Sequence, residues 1–283
     1  MSGYKLTGAN ADEITFDNDT YVLNPSLLGL GIPPTSVRID ESSRAGGVWR
    51  NTRRAVRNID LPVTVFGANA LAVETNVRRL SRLTQDTLGP TILTVLRDAG
   101  DLTMKLHYTG GAELKYGGAD GGDQWARLVL SFQAPQPFWE SAAQESFSVT
   151  SGATGRGLLP QLSKLRISSS QSLGTIDVDN TSDVSVFPIY EIAGPVTGLT
   201  VSNGVDEWSF STTILEGDLV EVDTGEGTVT GTGGTNLYAI LNSAPKLFSF
   251  PPGETTITIE GTSANANTRV TCRYNLRYEV IHG

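Results

Sequence analysis

Sulfur and imidazole are nearly missing from this sequence, which holds one cysteine, two histidines and two methionines in 283 residues. A single cysteine, Cys272, forbids an intramolecular disulfide; this excludes the disulfide-stapled secreted class and implies folding in a reducing cytoplasm. Zinc takes three or four thiolate or imidazole ligands, and Cys272, His107 and His282 are the whole supply, so no metal site is expected. Long apolar runs are lacking as well. None approaches the roughly 18 residues of a membrane span, and residues 1–20 carry no basic-then-apolar leader. The expectation is a soluble chain with no membrane insertion and no standard export.

The motifs that hold cofactors fail in detail. The glycine-rich stretch 225–234 is not followed by Lys-Ser or Lys-Thr, so it does not cradle a phosphate. Asp177, Asp179 and Asp183 take the first, third and seventh places of a calcium loop. The sixth is Ser182 and the twelfth Pro188, however, which makes an Asx-rich turn the better reading. With no Gly-x-Ser-x-Gly elbow in the chain, His107 has no serine to activate and reads as a strand residue on a polar face. No catalytic residue and no cofactor are assigned, and the chain is read as a non-enzyme. Thirty acidic residues still leave a glycosidase pair open on composition alone.

What the sequence does have is turn chemistry and alternation. With 31 glycines and many short Thr- and Ser-rich segments, it predicts a mainly β protein, and its length predicts two domains, 1–143 and 144–283. Residues 1–143 carry 14 basic against 15 acidic side chains (net −1) and residues 144–283 carry 7 against 15 (net −8), so the acidity belongs to the second half. That balance argues against specific nucleic-acid binding. In the first half, Ile59, Leu61, Val63 and Val65 alternate with polar residues as a half-buried strand, and a second strand is expected near 36–40, with a Gly-Gly loop between them. One helix follows, capped by Asn69, with Leu71, Val77, Leu80 and Leu83 on its apolar side and Gly89-Pro90 as its stop. The second half reads as nine short strands in a two-sheet sandwich: 163–167, 174–178, 186–192, 199–201, 207–211, 218–222, 237–241, 255–259 and 269–280. In the last of these Cys272 points inward as a small hydrophobe.

Two features invite a functional reading. Arg50, Arg53, Arg54 and Arg57 crowd one short segment, which suits carboxylates on a neighbouring subunit or another protein partner. A solvated face and phosphate contact are the competing readings, the latter without the interleaved aromatics of a single-strand binder. The second feature is residues 125–140, WARLVLSFQAPQPFWE, where a buried strand runs into Pro135 and Pro137. These prolines are expected to act as a hinge that sets the angle between the domains.

Four segments point to a family: GGVWRNTRRAVRNIDLPV at 46–63, WARLVLSFQAPQPFW at 125–139, EGDLVEVDT at 216–224 and LFSFPPGETTITI at 247–259. In their order and spacing the chain resembles the distal tail proteins of long, flexible-tailed bacteriophages, also described as minor tail proteins in phages of actinobacteria. The resemblance implies an N-terminal β-barrel-like domain with one α-helix, followed by a C-terminal galectin-like β-sandwich. It implies a homo-oligomer, a hexameric ring, that joins the tail tube to the baseplate or tip fibre of a long non-contractile tail. Tail tube, tape measure and tail-tip hub or fibre proteins are its implied partners, and the virion its place after assembly in the host cytoplasm. The alternative is a carbohydrate- or receptor-binding module at the tail tip, with Trp208, Tyr238 and Tyr190 as stacking candidates.

Overall fold

A computed structural model of the protein describes residues 3–43, 45–113, 122–150 and 172–281. The expected strand at 163–167 and residue His282 lie outside the described residues. The chain divides into two units, Met1–Ala143 with Tyr278–Gly283, and Gln144–Arg277. The last residues thus return to the first unit, which the expected boundaries did not include.

The first unit contains β1 (Gly3–Thr7), β2 (Glu13–Thr15), β3 (Tyr21–Leu23), β4 (Thr35–Glu41), β5 (Gly47–Arg54), β6 (Arg57–Phe66), α1 (Ala70–Leu83), β7 (Thr91–Leu96), β8 (Leu102–Gly111), β9 (Trp125–Ala134) and β10 (Trp139–Ser141). Seven of these strands form an antiparallel, nearly closed sheet in the order β2-β1-β7-β8-β9-β6-β3. The alternation of β6 dictates its pairing: Ile59, Leu61, Val63 and Val65 are fully buried opposite Phe132, Leu130, Leu128 and Ala126 of β9. Helix α1 spans the open side and is tied to both edge strands. Arg79 donates to the Asp12 carboxylate at 2.7 Å and to the Glu13 carbonyl at 2.8 Å, and the Tyr21 hydroxyl donates to the Asn76 carbonyl at 3.2 Å. Asn69 caps the helix, accepting from the Ala72 amide at 3.0 Å. Val73, Leu80 and Leu83 form the buried side, whereas Leu71, expected there, is 71 % exposed. Leu71 and Leu80 are nine residues apart, about two and a half helical turns, so the two side chains lie on opposite sides of the helix.

The second unit contains β11 (Glu145–Thr150), β12 (Ser172–Asn180), β13 (Ile189–Ala193), β14 (Val196–Ser202), β15 (Glu207–Ser209), β16 (Thr213–Ile214), β17 (Leu219–Asp223), β18 (Thr228–Gly231), β19 (Gly253–Thr262) and β20 (Arg269–Tyr274). They form two five-stranded sheets, β11-β20-β13-β17-β18 and β12-β19-β14-β15 with β16 beside β14. Both sheets feed one core: Tyr190, Ile192, Val222, Val270 and Cys272 from the first, Val201, Trp208, Ile257 and Ile259 from the second. Residues 237–241, expected as a strand, instead hold a 3-10 turn over Tyr238–Ile240. There the Asn236 side chain accepts the Tyr238 amide at 2.9 Å, competing with strand pairing. The expected strand 269–280 ends at Tyr274, and a further short strand, β21 (Arg277–Tyr278), marks the return to the first unit.

Candidate interaction surface

The four arginines singled out from sequence do not share one environment. Arg57 is buried, 1 % exposed, and donates to the Gly29 carbonyl at 3.1 Å and the Glu279 carbonyl at 2.9 Å. Its guanidinium carbon lies 5.9 Å from the ring centre of the fully buried Trp139. Burial pushes its pKa down to about 10, against the nearby Glu279 charge, so it stays cationic at neutral pH. The interface reading of Arg57 is therefore corrected: it is an internal clasp that holds the returning C-terminal segment. Arg54 reinforces the clasp through an ion pair with the Glu279 carboxylate and donates to Thr35 Oγ1 at 2.8 Å. Arg97 adds a third point, donating to the Ile281 carbonyl at 3.0 Å.

Arg50 and Arg53 belong to a different structure. The segment expected as a Gly-Gly loop is strand β5, which pairs with β4 alone, so the two form a separate two-stranded ribbon. Every residue of β5 is exposed, and in β4 only Asp40 is partly covered. Register sorts the side chains onto two faces. Thr35, Val37 and Ile39 lie opposite Arg54, Thr52 and Trp49 on one face, where the Trp49 indole donates to Thr52 Oγ1 at 2.9 Å. Ser36, Arg38 and Asp40 lie opposite Arg53, Asn51 and Val48 on the other, where Arg50 meets the Asp40 carboxylate at 2.6 Å. Val37, Ile39 and Trp49 are 51 %, 58 % and 63 % exposed. Among the described residues neither edge of the ribbon pairs with a further strand, and its apolar face stays more than half exposed.

The hinge reading of Pro135 and Pro137 is also relocated. Both lie between β9 and β10; Pro135 is exposed and Pro137 buried, and β10 pairs with β8 of the same unit. They end β9 because proline cannot donate to the ladder, while the chain leaves the unit later, after Ala143.

The chemical candidates resolve as structural residues. Cys272 is buried, and desolvation raises its thiol pKa far above the usual value, so it is not a nucleophile. His107 Nδ1 lies 2.9 Å from the Asp86 carboxylate on an exposed surface. Asp177 and Asp179 sit on β12, with Asp177 accepting from Thr256 at 2.6 Å; no group of metal-ligating side chains occurs among the described residues. Of the three aromatics proposed for stacking on sugar, Trp208 and Tyr190 are buried and meet edge to face at 5.3 Å, while Tyr238 alone is exposed. Burial removes the first two from any ligand.

Residues 181–278 match the family described as the siphovirus-type tail component, C-terminal domain. No curated protein matches the chain in sequence. Among solved structures it is similar to the crystal structure of SPP1 Dit, described as a paradigm of the hub adsorption apparatus in phages infecting Gram-positive hosts. That likeness covers 97 % of this chain and 98 % of the other at 13 % identity, with a TM-score of 0.68. It is also similar to chains of the phage P2 baseplate in its activated conformations with Ca and with Sr, each at 12 % identity, 99 % and 100 % coverage and a TM-score of 0.53.

Proposed function

We propose that this chain, whose residues 181–278 match the siphovirus-type tail component family and whose fold is similar to that of SPP1 Dit over 97 % of its length, is a structural adaptor at the tip of a long non-contractile phage tail. In this reading six copies close into a ring that joins the tail tube to the baseplate or tip fibre. The tube, tape measure and hub or fibre proteins are its neighbours, and the virion is its final location. The observation that carries the reading is end-to-end agreement with a hub protein, over both units rather than one. The exposed ribbon supports it, because a component that works by packing must carry surface its own fold leaves uncovered. In this reading the protein works by packing rather than by catalysis. The test is complementation: phage lacking this chain should yield particles with unfinished tail tips, and an epitope on the restored protein should label the tip by immunogold microscopy. Label along the tube or on the capsid would overturn the reading.

A further inference from the structure

We infer that the second unit carries a binding cleft for a neutral pyranose sugar, where β16 and β17 meet the turns that follow β18. The inference rests on the chemistry of the cleft and not on the adaptor reading.

Three segments build the cleft. Ile214 of β16 and Val220 of β17, each 4 % exposed, give it an apolar floor, and the half-buried Leu237 and Ile240 of the segment after β18 give it an apolar wall. Backbone bonds set that wall before any ligand arrives. The Gly231 amide donates to the Thr235 carbonyl at 2.8 Å, the Leu237 amide to the Val229 carbonyl at 2.8 Å and the Ile240 amide to the Leu237 carbonyl at 2.9 Å. Gly231 leaves room for the wall to close on β18, since a Cβ there would stand 2.6 Å from Leu237 Cδ1. The volume is about 330 Å³, the size of a small-ligand site.

Polar groups stand around this apolar surface with capacity to spare. Thr213 Oγ1 is engaged with Thr197 Oγ1 at 2.8 Å, and Thr232 Oγ1 accepts the Leu219 amide at 3.4 Å. The side chains of Thr212, Asp218 and Thr235, all exposed, have no polar partner among the described residues. The Asp218 backbone is nonetheless fixed: its amide donates to the Leu215 carbonyl and its carbonyl accepts the Gly194 amide, both at 3.1 Å. The residue is positioned while its carboxylate stays open.

These groups select the ligand. It must offer an apolar face to the floor and wall, several hydroxyls to the rim, and no negative charge, because Asp218 would repel one and no basic side chain lines the cleft. A pyranose ring has that form, with C–H groups on its face and hydroxyls at its edge that donate to a carboxylate and exchange bonds with threonines. A phosphate ester finds no cation here, and a planar base finds no ring to stack on. Trp208, Tyr190 and Tyr238 do not line the cleft, so the site is separate from the stacking residues considered from sequence.

The experiment titrates the isotope-labelled full chain with the methyl glycosides of glucose, galactose, mannose and N-acetylglucosamine, followed by amide chemical shifts. Cyclohexanol, which keeps the ring size with a single hydroxyl, and galactose phosphate are the comparison probes. At least one glycoside is expected to shift amides of 212–220 and 231–240 and no others, and both comparison probes to bind at least about tenfold more weakly. Asp218→Ala should weaken the responding glycoside about tenfold and Thr235→Val about threefold. Both positions are exposed, and thermal melts verify that the variants fold. No response to any glycoside at millimolar concentration, shifts centred elsewhere, binding unchanged in both variants, or cyclohexanol binding as well as the sugars each overturns the inference. Immunogold labelling of the tail tip bears on the adaptor reading alone, so the two readings fail separately.

Discussion

The β4–β5 ribbon and the β6–β9 pair are both antiparallel ladders, and only Ala55 and Val56 separate β5 from β6, yet their surfaces differ completely. In β6 the residues at 59, 61, 63 and 65 are fully buried; in β5 every residue is exposed. Both have apolar residues on one face, so composition does not separate them. What separates them is a second layer: β6 faces the rest of the first core, whereas the ribbon's Val37, Ile39 and Trp49 stay more than half exposed.

The largest effect should come from inverting that contrast with one residue type. Leu61→Asp puts a carboxylate into a fully buried site and should cost about 4 kcal/mol or more, enough to unfold the first unit. Trp49→Asp puts the same charge on the ribbon and should change monomer stability by no more than about 0.5 kcal/mol. Chemical denaturation of both variants under conditions where the chain is monomeric decides this. A large loss for Trp49→Asp would mean that the ribbon belongs to the monomer's core.

The arginines make the same comparison within one side-chain type. Arg57→Ala removes two hydrogen bonds to carbonyls and the cation over Trp139, and should cost about 3 kcal/mol. Arg53→Ala, on the exposed ribbon with no ion pair among the described residues, should be neutral within about 0.5 kcal/mol in the monomer. Equal losses from the two substitutions would erase the distinction between clasp and surface.

How much of this was legible beforehand follows from the same physics. Strand β6 and helix α1 were readable because periodicity reports a nearby core: Ile59 to Val65 alternate, and Asn69 precedes a helical stripe. The separation of buried Arg57 from the three ribbon arginines is not legible there, because Arg57 is covered by Trp139, Gly29 and Glu279, groups distant in sequence. Strand β5 escaped for a related reason: its one partner is β4, and its apolar Trp49 and neighbouring arginines carry no inside-outside rhythm when no inside exists. The prolines at 135 and 137 were correctly read as ending β9, but where the chain leaves a unit depends on β10 pairing back to β8, which no local signal encodes.

A smaller effect tests the covered side of the comparison at its edge. Asn69→Ala removes the side-chain oxygen that accepts the Ala72 amide and should cost about 1 kcal/mol. Glycine at the same position should recover most of the loss, because the cap's extended backbone suits it. Thermal melts of the three proteins rank them as wild type, then glycine, then alanine.

The smallest effect is pH-dependent and concerns the tether between α1 and the edge near β2. The hydrogen bond from Arg79 holds the Asp12 carboxyl below its usual range, with the Arg79 charge and the Glu13 amide adding to it and slight desolvation opposing. A group whose folded pKa is depressed contributes stability above its unfolded pKa and loses it as pH falls through the folded value. The contribution is thus complete at neutral pH and fades only below the ordinary carboxylate range. Because both members of the pair are partly exposed, screening by salt should weaken it further. The expected result is a small difference in melting temperature between wild type and Asp12→Asn at pH 7 that shrinks as the pH falls below about 4 and shrinks again in high salt at pH 7. A difference that persists through acid would place the effect of the substitution in packing rather than in the charge of Asp12.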